Sequence, residues 1–247
     1  MLMIDIHSHI LPGLDDGPQT WEEALEMARL AAEDGIQIMV ATPHLFKDRF
    51  SDVGGINNKE TILAQIHQFR EKLSQAQIPL EIMPGCDMHL SPRALELLEE
   101  DQVFTINDTR NYLLLELPDM SFPPGIGDVC FNLQSKGITP IITHPERHFL
   151  IQEMPDKLRN LLDLGCLAQI TATSVLGGFG RAIARFSRDL LKKGYVQVAA
   201  SDAHDTRGRA PKLRRAVEEI ARVIGKKRAW DMVTTIPDKI IKGQPVN

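Results

Sequence analysis

The sequence predicts an α/β protein whose parallel sheet closes into a barrel of seven strand-then-helix units. Three observations carry this. Short, mostly apolar runs recur along the whole length, as expected of strands buried under helices on the outside of a sheet. An amphipathic stretch of helical period separates each run from the next. The length of 247 residues and the 43% hydrophobic content suit one α/β barrel with a sizeable core.

The strands are expected over residues 3–6, 36–41, 80–83, 112–117, 139–143, 167–171 and 195–200. The helices are expected over 21–33, 59–76, 92–100, 127–136, 154–164, 181–193 and 212–224. Gly35, Gly137, Gly165 and Gly194 each follow a helical pattern, where a left-handed residue ends a helix. The stretch 46–58, with Gly54-Gly55 and Asn57-Asn58, reads as a mobile loop able to cover a site. With no linker, low-complexity run or internal repeat, residues 1–247 are expected to form one domain.

Composition excludes several classes. A net charge of −5 is wrong for a general nucleic-acid binder. No run approaches the eighteen apolar residues of a membrane span, and no basic segment leads into an apolar one at the start, so neither insertion nor a signal peptide is expected. Cys86, Cys130 and Cys166 are odd in number and widely spaced, which fits a reducing compartment, the cytoplasm.

Chemistry is concentrated where the strands end. In a parallel barrel the active site lies at the carboxyl ends of the strands. There the sequence places His7 and His9 ("IDIHSH"), His44 ("VATPH"), Asp87 ("IMPGCDMH"), Glu116 ("LLLEL"), His144 ("PIITHPER"), and Asp202 and His204 ("VAASDAH"). With Asp16 from the first loop these are nine candidate metal ligands, eight of them from six of the seven strand ends. Taken singly, each has an ordinary explanation: a chance His-x-His, a buried Glu paired with a base, a helix cap. A shared cluster of cations explains all of them at once, because imidazoles and carboxylates satisfy one another through metal ions. The i, i+2 spacings of His7/His9 and Asp202/His204 put each pair on one strand face. A site of imidazole and carboxylate without thiolate suits manganese, iron or zinc, and so many ligands imply catalysis. Arg147 and Arg209, in the loops after two of these strands, could clamp a phosphate through bidentate guanidinium contacts.

Together "DIHSHILPGLDDG", "TPH", "THPER" and "SDAH…GR" resemble the polymerase-and-histidinol-phosphatase (PHP) superfamily, and within it the CpsB/CapC group of bacterial protein-tyrosine phosphatases. The resemblance runs over nearly the whole chain and implies a distorted (β/α)7, TIM-like barrel, the PHP fold. It also implies three divalent metal ions, manganese above all. By motif, His7, His9 and Asp202 would hold the first ion. Glu116 and His144 would hold the second, with Asp87 bridging the two, and Asp16, His44 and His204 would hold the third. Arg147 and Arg209 would bind phosphate. The group usually has Glu where this chain has Asp87, one methylene shorter, and His89 on the same strand face would support the site from behind.

The implied activity is metal-dependent hydrolysis of phosphotyrosine, on a tyrosine kinase of capsule or exopolysaccharide biosynthesis. The alternative is a small-molecule phosphatase of the histidinol-phosphatase type. A cysteine-based phosphatase is excluded, since no cysteine is followed by an arginine six positions on. Self-association into a homo-oligomer is compatible with the sequence. Arg181, Arg185, Arg188 and Lys192 fall along one helical face. That pattern reads first as a solvated surface and second as a landing strip for an acidic phosphorylated tail.

Overall fold

The computed structural model describes residues 2–45, 58–90, 103–118 and 120–246. The expected helix over 92–100 and most of the loop over 46–58 lie outside the described residues. Strand β1 (Met3–Ser8) leads into helix α1 (Trp21–Asp34). The Thr20 hydroxyl accepts the Glu23 N–H at the start of α1, and Gly35, at φ 98°, ends it. Then come β2 (Ile36–Ala41), β3 (His44–Leu45), α2 (Lys59–Gln75), β4 (Glu81–Pro84), β5 (Asp87–His89) and β6 (Tyr112–Glu116). Helix α3 (Ile126–Ser135), β7 (Thr139–Thr143), α4 (Phe149–Glu153), α5 (Asp156–Asp163) and β8 (Leu167–Thr171) follow. The chain ends with α6 (Ala172–Leu176), α7 (Arg181–Lys193), β9 (Val198–Ala200), α8 (Arg214–Ile224), α9 (Lys226–Asp231) and α10 (Thr235–Ile241).

All the strand pairs are parallel, in a three-stranded sheet of order β1-β2-β4 and a six-stranded sheet of order β3-β5-β6-β7-β8-β9. The two sheets are one ring interrupted twice. Strand positions two and three each break in mid-course, at Thr42-Pro43 and at Gly85-Cys86. Proline has no N–H for the ladder. At the second break a Cβ on Gly85 would lie 2.7 Å from Val40 Cγ1, so only glycine lets the chains approach there. A parallel bridge between Ser8 and Ala203 returns the seventh strand position to the first, reinforced by Asp202 N–H to His7 O at 2.9 Å and His9 N–H to Ala203 O at 2.8 Å.

Alternation sorts the core into two parts. Ile4, Ile6, Ile38, Val40, Leu114, Ile141, Val198 and Ala200 fill the interior with Ile240 and Ile241 of α10. Met3, Met39, Leu113, Leu115, Ile142, Ala168, Ile170 and Ala199 face the surrounding helices.

The seven expected strands are present, those over 36–41, 139–143 and 167–171 with the expected limits and the others with altered ones. The first continues through His7 to Ser8. The last is only Val198–Ala200, because Gly194 turns left-handed and Tyr195 N–H returns to Leu190 O, which uses the preceding residues to leave α7. The short elements β3, β5, α4, α6, α9 and α10 were not expected, being too brief to show a period.

Candidate metal centre

All nine candidate ligands converge at the carboxyl end of the strands, and eight of them are buried; the Asp16 side chain is 47% exposed on the solvent side. For some, simple alternation places them: Glu116 continues the inward series of Tyr112 and Leu114. His7 breaks the rule. Alternation from Ile4 and Ile6 would turn it away from the interior, but the β1–β2 register shifts between Asp5 and Ser8, where Asp5 Oδ1 accepts the His7 N–H at 3.3 Å. An irregularity of this kind re-aims a side chain. Two further ligand candidates, His144 and Asp202, sit at left-handed φ values of 33° and 53°. Non-glycine residues rarely adopt that region, and such strain gathers at functional sites.

Ligand atoms within 4.8 Å of one another form three groups: His9, Asp16, His44 and His204; His7, His9 and Asp87; and His44, Asp87 and Glu116. The groups cut across the ligand sets implied by the family resemblance, because His9, His44 and Asp87 each belong to two. Asp202 Oδ1 lies 3.4 and 3.5 Å from the Nε2 atoms of His7 and His9, and His144 Nε2 lies 3.7 Å from Glu116 Oε1. The Nε2 atoms of His7 and His9 point at each other across 3.2 Å, and the rings of His9 and His204 have centroids 3.9 Å apart.

The residues fit cations. Asp87 is fully buried, and neither of its carboxylate oxygens has a hydrogen-bond partner among the described residues. Oδ2 instead stands 3.6 Å from His7 Nε2 and 3.3 Å from His44 Nδ1. A buried carboxylate left without donors, ringed by imidazole nitrogens, is what a cation site looks like before the cation is counted.

Protonation agrees. Burial pushes the imidazoles of His7 and His144 down, and takes His204 to about 4, which leaves their lone pairs free for a metal. Asp202 is held well below the ordinary carboxylate range: burial acts against it, but His7, His9, Arg147 and Arg209 outweigh that. His9 is the exception. Burial lowers it too, yet the Asp15 carboxylate, 2.6 Å from Nδ1, lifts it to about 10.

Three positioning residues were not singled out in the sequence. Asp15 Oδ2 accepts from His9 Nδ1 and from the His44 N–H at 3.0 Å, while Oδ1 accepts the Gly17 N–H at 2.9 Å. It fixes two ligand-bearing segments at once. Gln169 Oε1 accepts from His7 Nδ1 at 2.9 Å, which turns Nε2 into the cluster. Asp205 Oδ1 accepts the backbone N–H groups of Arg207 and Arg209, at 2.6 and 3.0 Å, and so shapes the loop that carries Arg209. The visible signals were a doubled Asp and an inward-facing polar residue in "LAQIT".

His89 Nδ1 lies 3.1 Å from Glu116 Oε2, outside every ligand group, with its side chain 20% exposed. Arg147 and Arg209 meet at the rim, each giving one Nη–H to Asp202 Oδ2 at 2.6 Å. They are about a quarter exposed, and Arg147 also stacks on Phe179, 5.2 Å from its ring centroid. Two guanidinium groups share one carboxylate, and each keeps N–H donors that Asp202 does not use.

The proton on His9 gives a direct expectation. Below pH 10 an incoming cation must displace it, so metal affinity should rise through pH 7–9, by up to ~tenfold per unit for one proton. Asp15→Asn removes the carboxylate that holds the proton, so the His9 pKa falls and the slope flattens. Manganese titrations at several pH values check this; equal slopes for both proteins would refute the role of Asp15.

A parallel barrel with a buried imidazole–carboxylate cluster at the carboxyl ends of its strands defines a class: the metal-centre hydrolase barrels. Comparison with known proteins narrows the class. The family model for capsular polysaccharide synthesis proteins, CpsB/CapC, matches residues 3–242. Tyrosine-protein phosphatase YwqE of Bacillus subtilis (strain 168) is 32% identical over 244 residues, 99% of this chain and 93% of its own. Tyrosine-protein phosphatase CpsB of Streptococcus pneumoniae is 32% identical over 247 residues, 98% of this chain and 99% of its own. A crystal structure from work on YwqE and CpsB as unique metal-dependent tyrosine phosphatases superposes with a TM-score of 0.93 at 32% identity, covering 99% of this chain and 96% of that one. The chain belongs to the CpsB/CapC family.

Proposed function

We propose that this protein is a metal-dependent protein-tyrosine phosphatase, with residues 1–247 acting as a single PHP-type metallophosphatase domain. The observation that carries the reading is Asp87, a buried carboxylate with no hydrogen bond to its oxygens among the described residues, where two of the three ligand groups meet. The near-full-length similarity to tyrosine-protein phosphatases supports the reaction. His7, His9, Asp16, His44, Asp87, Glu116, His144, Asp202 and His204 hold three divalent ions, manganese in the first instance, with iron or zinc as substitutes. Such ions lower the pKa of a bound water and polarise phosphoryl oxygens. The chain's own residues do the rest. Asp15 and Gln169 orient the imidazoles, Asp202 and the strained turn at His144 hold the rim, and Arg147 and Arg209 bind the phosphoryl oxygens and stabilise their growing charge.

The substrate proposed is a phosphorylated tyrosine kinase of a capsule or exopolysaccharide system, in keeping with the family description. No described helix is long and apolar enough to cross a membrane, and the three cysteines are free and buried, which supports work in the reducing cytoplasm. The phosphatase names of the relatives count against the histidinol-phosphatase alternative. Turnover of a phosphotyrosyl peptide should vanish with a chelator, return with Mn²⁺, survive thiol alkylation, and far exceed turnover of histidinol phosphate. Activity indifferent to chelation, or lost to a thiol reagent that spares the fold, would overturn the reading.

A further inference from the structure

Helix α7 carries Arg181, Arg185, Arg188 and Lys192 on one narrow arc, and all four are exposed. None forms an ion pair, and none donates a side-chain hydrogen bond, among the described residues. Some exposed cations are paired, as Arg29 is with Glu26, Arg159 with Asp163, Arg222 with Glu219 and Lys242 with Asp238. Others, such as Lys212, Arg215 and Arg228, are unpaired among the described residues, and what sets α7 apart is four such cations aligned on one arc. Only Asp189 interrupts the positive side of α7, in a chain whose net charge is −5. The stripe also has a direction. Its first residue lies two positions after Phe179, the ring that stacks on Arg147, and α7 packs on the Pro145–Arg147 turn.

We propose that this stripe is the docking track for an acidic, extended polypeptide segment flanking the phosphotyrosine. The proposal rests on the phosphatase reading above and adds a sequence requirement on its substrate. The four cations span twelve residues, eleven rises or about 16 Å of helix. An extended peptide rises ~3.3 Å per residue, so the track matches about five residues beyond the rim of the site. Acidic side chains there would meet unpaired cations and speed encounter, a contribution screened by salt.

Arg185→Glu/Arg188→Glu, two changes on the solvent side of the helix, test the track. A labelled glutamate-rich peptide with Phe in place of phosphotyrosine, followed by fluorescence anisotropy, reads docking without catalysis. The double variant should bind it about tenfold more weakly, and added salt should erase the difference. In turnover, KM for a phosphotyrosyl peptide with acidic flanks should rise about as much. Constants for p-nitrophenyl phosphate and for a peptide with neutral flanks should stay as in the parent. Equal effects on both peptides, or no effect on either, would overturn the track. Unchanged peptide binding with lost binding to phosphatidylserine vesicles would also overturn it, and would assign the stripe to an anionic membrane surface. If no phosphotyrosyl peptide is turned over while anisotropy still separates the two proteins, the phosphatase reading fails and the track stands.

Discussion

Asp87→Ala should lose at least one equivalent of bound metal and nearly all activity. Asp87 belongs to two of the three ligand groups, and among the described residues its buried oxygens face only the imidazoles of His7 and His44, with no hydrogen bond to either. Without it, neighbouring cations would repel each other with one carboxylate fewer between them. Asp87→Glu keeps the carboxylate on an arm one methylene longer and should keep the metals, with a modest change in rate. His89→Ala should be far milder, roughly 10- to 100-fold in activity or affinity, because His89 touches the cluster only through Glu116. Metal analysis beside kinetics checks all three. The opposite ranking, with His89→Ala stripping metal and Asp87→Ala keeping it, would hand the ligand role to His89.

The second large effect is expected at the rim. Arg147→Ala and Arg209→Ala should each lower kcat/KM for a phosphotyrosyl peptide by roughly 10²- to 10³-fold, as for loss of one charged donor to a developing oxyanion. Lysine should rescue poorly, since a point charge cannot reproduce the planar fork. Metal content should not change, although both arginines touch Asp202. An arginine whose removal also releases metal would be holding Asp202, not the substrate. The losses should not add in the double variant, because the two groups act on one anion.

The candidate ligands and their places at the strand ends were legible in the sequence, since they need only the strand period and the direction of the chain. Glu116 after "YLLL" shows this most simply. What the sequence hid depends on contacts between distant segments. Nothing local says that Asp15 would turn to His9 and His44, or that Gln169 would meet His7, 162 residues away. His7 itself shows the limit of periodicity: it reaches the cluster through a register shift that alternation does not foresee. The breaks at Thr42-Pro43 and Gly85, which bring His44 and Asp87 side by side in β3 and β5, are equally a matter of how strands two and three pack.

The most direct test of the metal centre is an anomalous difference map from crystals grown with Mn²⁺. The expected map has three peaks inside the nine-residue cluster, with Asp87 contacting two of them and Arg147 and Arg209 facing the opening above. A map with no peaks there, or with a single ion bound without Asp87, would contradict the assignment.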